Sequence, residues 1–89
     1  MNQAAYDFYN RGDLVRRLAE ARRWTIKIAN RKTWSGEQLA AKAVQEVNGW
    51  QKMAKDLEKR IRDMIEWLQE IKPDHPEIVL LEALLQDKE

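Results

Sequence analysis

The sequence predicts an all-α protein: a helical hairpin, or three-helix chain, on a long coiled-coil-like central helix, assembled as a homodimeric bundle. Three observations predict it. Apolar residues recur at alternating steps of three and four from Ala40 to Ile71. A repeat of about 3.5 residues held over four heptads is the pattern of a helix seam. Glycine and proline are scarce, three and two, and all but Gly49 sit where helices should begin or end. The chain has 89 residues and no cysteine. A domain of that size buries only about 60–65% of its unfolded surface, so its core alone is marginal. With no disulfide available, a second copy is the remaining staple.

The elements follow in order. Residues 4–9, "AAYDFY", add a helical turn or lie as an aromatic arm. The first helix is expected over residues 13–29. Its stripe of Leu14, Leu18, Ala21, Thr25 and Ile28 is widened by Val15, Ala19, Ile26 and Ala29. So broad an apolar arc predicts contact with two neighbours. "TWSGEQLA" then starts the central helix. Ser35 and Gln38 form a capping box, and Trp34 and Leu39 a hydrophobic staple.

The central helix is expected over residues 36–71, roughly 54 Å long. Its seam contains Ala40, Ala43, Val47, Trp50, Ala54, Leu57, Ile61, Met64, Leu68 and Ile71. Asn48-Gly49 is a turn signal inside this span. The apolar phase does not slip there, and neither flank alternates as a hairpin strand would. The helix is therefore expected to run through, with Gly49 costing about 1 kcal/mol relative to alanine. "KPDHPEIV" marks the next break. Asp74 is the expected cap with Glu77 three residues on, and Pro76 is tolerated in a first turn. A third helix is expected over residues 75–86. Short connections make neighbours antiparallel. The first helix is expected along the first half of the central helix, and the third along the second half.

Charge is uneven. Residues 11–32 carry eight basic side chains against Asp13 and Glu20, whereas residues 33–89 carry eight basic and twelve acidic. Arg16, Arg23 and Lys27 share one side of the first helix, with Arg17 and Arg31 at its margins. This basic row with Trp24 beside it, and Trp67 beside the seam, are the candidate partner-binding residues. The bland alternatives are a solvated face and packed tryptophans. Arg22 falls inside the apolar arc and needs a carboxylate. A hairpin folded about Thr33 makes Glu46 the expected partner of this structural ion pair. Val47, Trp50, Leu57, Ile61, Met64 and Leu68 are the expected core and dimer seam.

Catalysis finds little support. His75 lies at a helix start with no serine or cysteine that the sequence places beside it. Asp63, Glu66 and Glu70 share a stripe, but Lys59 and Arg62 lie within pairing distance, so a salt-bridged face is expected and no metal site. There is no phosphate-cradling glycine loop. "RGD" at residues 11–13 carries almost no information. No cofactor is expected. No apolar run reaches the roughly 20 residues needed to span a bilayer. The N-terminus lacks the pattern of a signal peptide, so a cytoplasmic protein is expected. The functional expectation is a non-catalytic adaptor or inhibitor that binds an acidic protein surface. Compact, cysteine-free helical proteins of this kind are frequent among phage and mobile-element accessory proteins. The alternative is a nucleic-acid-binding regulator using the basic face of the first helix.

Overall fold

In the computed structural model the chain is described over residues 2–29 and 36–86, excluding the side chains of residues 29 and 37–40. The expected capping box, the Trp34–Leu39 staple, and Ala40 of the seam therefore lie outside the described residues. Four helices account for the rest: α1 (Gln3–Tyr9), α2 (Arg11–Ala29), α3 (Glu37–Ile71) and α4 (Pro76–Gln86). The fold is all-α, with one more helix than the apolar periodicity predicts.

That extra helix is α1. Asn2 caps it by accepting from the Ala4 amide at 2.9 Å. Asn10 ends it and starts the next helix. Its amide reaches back to the Tyr6 and Asp7 carbonyls, and its own carbonyl accepts from the Asp13 and Leu14 amides. One residue thus serves two helix termini whose backbone groups would otherwise lack partners. The same bonds extend α2 two residues upstream of the expected start.

The long helix α3 runs unbroken through Asn48-Gly49. Its first residue follows Gly36, whose φ of 84° belongs to the left-handed region that glycine enters without a Cβ penalty. Its length sets the long dimension of the molecule, which measures 53 × 24 × 16 Å. The break after Ile71 is capped by His75 rather than Asp74. The His75 Nδ1 accepts from the Glu77 amide at 3.1 Å, while its carbonyl accepts from Ile78.

The core is built along the C-terminal half of α3. Leu14, Leu18 and Ala21 of α2 meet Ala54, Leu57, Ile61, Met64, Ile65 and Leu68 of α3, with Ile78 and Leu81 of α4 closing it. The expected seam is thus largely intramolecular. Leu57, Ile61, Met64 and Leu68 are buried in the single chain, Val47 and Trp50 are half-buried, and Ile71 is 59% exposed. The flanking helices do not lie end to end as expected. Arg22 of α2 hydrogen-bonds the Leu84 carbonyl of α4 at 2.9 Å, and Arg11 pairs with Glu77 at 3.2 Å. The two helices run side by side, both antiparallel to α3, over its C-terminal half.

Candidate functional site

Two antiparallel helices, α2 and α3, leave a groove on each side of their contact. Each groove is filled for only part of its length. On one side α1 docks against α3 by the pairing of Asp7 with Arg60. On the other, α4 docks where Arg22 meets Glu58 and Leu84. Both short helices stop near the middle of α3, so among the described residues α2 and α3 alone continue toward the connection.

Where α1 stops, the groove continues as an open depression of about 560 Å³ lined by Arg17, Glu20, Gly49, Trp50, Met53 and Leu57, with Lys52, Asp56 and Arg60 at its edge. Its floor is apolar and its rim carries both signs of charge. Met53 is 45% exposed there. Trp50 is backed by Trp24, the rings stacked at 6.2 Å with 17° between their planes. Gly49 lies exposed on the wall. A Cβ built on it meets nothing within 4 Å, so no contact within the chain requires glycine there.

The predicted site residues are dispersed. Arg16, Arg23 and Lys27 lie exposed on α2. Arg16 shares Asp13 with Arg17, at 2.8 and 3.1 Å, and the Lys27 ammonium sits 5.0 Å from the Trp24 ring. Trp24 is half-buried in its stack. Trp67 is half-buried as well, its ring 5.7 Å from Phe8 of α1. Both tryptophans keep part of their surface exposed while packing on a neighbouring ring, and Trp24 backs the groove. Arg22 has a carboxylate partner, but it is Glu58 at 3.2 Å; Glu46 is exposed. The hairpin rule misplaces the partner because the register is not the one a fold about Thr33 gives. Trp24 stacks on Trp50, so the pairing of α2 with α3 is centred nearer residue 37. The lean of side chains toward their own N-termini adds to the offset, since Arg22 reaches away from the connection while Glu58 reaches toward it.

Asp7 and Arg60 are the pair that sequence reasoning missed. Asp7 is the buried charge of the described core, 2% exposed. Arg60 grips it in a fork, Nη2 to Oδ1 at 2.7 Å and Nε to Oδ2 at 3.2 Å, and Gln3 donates to Oδ1 at 3.0 Å. The Arg60 hydrogen bonds hold the Asp7 carboxyl below its ordinary range despite burial, and the same contact raises Arg60. Nearby, Phe8 ties α1 to α2, to α3 and to the residue that caps α4. Its ring contacts Trp67 and His75, the Arg11 guanidinium lies 4.3 Å above it, and its carbonyl accepts from Arg11. The available signal was an acid inside the apolar heptad "AAYDFYN", a residue that must find a cation if the segment docks.

His75 is engaged at the start of α4 and as an edge-on neighbour of Phe8 at 5.4 Å. Asp63, Glu66 and Glu70 line a polar depression beside Asp7 and Arg60. Among the described residues, no cluster of histidine, cysteine or carboxylates is arranged to hold a metal ion. No described helix is long and apolar enough to cross a membrane. Comparison with protein families, curated proteins and solved structures finds no match.

Proposed function

We propose that the protein is a non-catalytic binding module, a cytoplasmic homodimer that docks an amphipathic helix of another protein into the open groove above α1 and so acts as adaptor or inhibitor. The observation that carries this reading is the groove itself. It continues the channel that α1 already occupies, so a helix is the shape that extends the packing. Trp50, Met53 and Leu57 supply an apolar floor for a helix stripe. Lys52 on the rim, with Glu20 and Asp56, suits a helix with both signs of charge. Gly49 lets a backbone approach closely, which accounts for a glycine that the chain's own packing does not need.

The exposed row of Arg16, Arg23 and Lys27 supports a second reading, an anionic partner such as nucleic acid on the outer face of α2. Capture from source cells by immobilised protein separates the two. Met53→Glu should lose a protein partner of the groove and leave helix content unchanged. Changing Arg16, Arg23 and Lys27 together to glutamate should leave that capture intact. If instead the triple variant alone loses its partner, and binding falls by orders of magnitude between about 50 and 200 mM salt, the basic face is the site and the groove reading fails.

A further inference from the structure

The groove on the opposite side, where α4 stops, has its own missing occupant. It is lined by Arg22, Thr25, Ile26, Gln51, Ala54 and Lys55. Val44 extends it, since Val44, Gln51, Lys55 and Glu58 fall on one stripe of α3 at steps of seven, four and three. Val44 is 58% exposed and Ile26 is 36% exposed. Directly below lies α4, "PEIVLLEALLQ", whose outward residues are also apolar: Val79 is 70% exposed and Leu80 62%, with Ala83 exposed beside them. One side of the molecule is therefore a step. Its lower half is a raised apolar helix and its upper half an apolar trough.

A step of this kind is self-complementary under a two-fold axis. We infer that the trough is filled by α4 of a second copy of this chain, arranged antiparallel, so that the two α4 helices lie end to end in a middle layer between two α2–α3 hairpins. The inference rests on the homodimeric reading proposed above and assigns its interface.

Three features select this occupant. The lengths agree: α4 has eleven residues, about 16 Å, and Val44 to Ala54 offers the same run of α3. The charges agree too. Within one chain Glu77 of α4 is paired with Arg11 and Arg22 of the trough with Glu58, which leaves the exposed Glu82 on α4 and the exposed Lys55 in the trough as opposite charges. Finally, a two-fold makes both contacts at once, and a stable interface needs about 1,200 Å² or more of buried surface. Each copy buries its α4 face and its trough together.

The test begins with sedimentation equilibrium of the full chain near 50 µM. The wild type should be a dimer. Val79→Glu with Leu80→Glu, both exposed and so neutral for folding of one chain, should weaken dimerisation about a hundredfold or more with helix content retained. Because the chain contains no cysteine, two single-cysteine variants give a direct geometric readout. Gln51→Cys and Ala83→Cys, mixed and oxidised, should give mainly the disulfide that joins one variant to the other. A monomeric wild type overturns the homodimeric reading and this interface with it. A dimer that persists in Val79→Glu/Leu80→Glu, or that gives only disulfides between identical variants, overturns the interface while leaving the dimer standing.

Discussion

Replacing Asp7 with alanine removes the contact that fastens α1 to the long helix. Asp7 is 2% exposed and receives three side-chain hydrogen bonds, two from Arg60 and one from Gln3. Truncating one member of a fully buried ion pair costs about 3–5 kcal/mol, because the partner charge is left without compensation. Exposed pairs are worth only about 0–1 kcal/mol. This pair lies between the two limits, since the Arg60 side chain is 39% exposed and the freed guanidinium can rehydrate. The expected loss is about 2 kcal/mol, or roughly thirtyfold in the folding equilibrium. For a domain of this size that is a fall in Tm of roughly 10 °C. Urea unfolding followed by circular dichroism and by tryptophan fluorescence measures it. Arg60→Ala should cost at least as much at neutral pH, because the carboxylate left behind is the more buried partner. The double variant should lose less than the sum of the two, by about 1–2 kcal/mol of coupling. A loss below about 0.5 kcal/mol for Asp7→Ala would refute the docking of α1 through this pair.

The remaining expectations follow from the same contacts. The folded-state pKa of Asp7 lies below its unfolded value of 3.8, so its contribution is full above about pH 4 and is lost as the pH falls through the folded value. Acid unfolding should therefore be less steep in Asp7→Asn than in the wild type between about pH 4 and pH 2, and identical profiles would remove the pair from the acid transition. Ile61 is fully buried and Ile71 is 59% exposed. Ile61→Ala should cost about 2–5 kcal/mol in urea unfolding, and Ile71→Ala under about 0.5 kcal/mol; equal costs would contradict the burial of Ile61 in the core and the exposure of Ile71 at the end of the seam.

The long helix was legible because its signal is redundant. Ten apolar positions keep one phase, and that phase outweighs the single unfavourable residue Gly49. The terminal helices were harder for opposite reasons. Segment α4 is apolar almost all round, so its pattern announces burial without saying which face is covered; the structure leaves Val79 and Leu80 outside. Helix α1 is only seven residues long, too short for periodicity to register, and its stability depends on Asn2, Asn10 and a carboxylate whose cation is 53 residues away. Glu46 was chosen for Arg22 by counting from a turn at Thr33, but the Trp24–Trp50 stack shows a register centred nearer residue 37, and two long side chains reach further still. The candidate groove was not legible at all. Gly49 and Met53 belong to no motif, and they become a site only because α1 ends before covering them.

The most direct measurement of the groove as a binding surface is Gly49→Leu, read for stability and for partner capture in the same preparation. In the isolated chain the position is exposed, with nothing within 4 Å of a Cβ, so a leucine there gains helix propensity and can extend its side chain into the open groove. Urea unfolding should show the variant more stable by about 0.5–1 kcal/mol. The same side chain stands in the mouth of the groove, so affinity for the captured partner should fall at least about tenfold, a loss of about 1.4 kcal/mol or more. A more stable protein that binds less well is the predicted result. A variant that is stabilised but captures its partner with unchanged affinity would contradict the assignment of the groove as the binding surface.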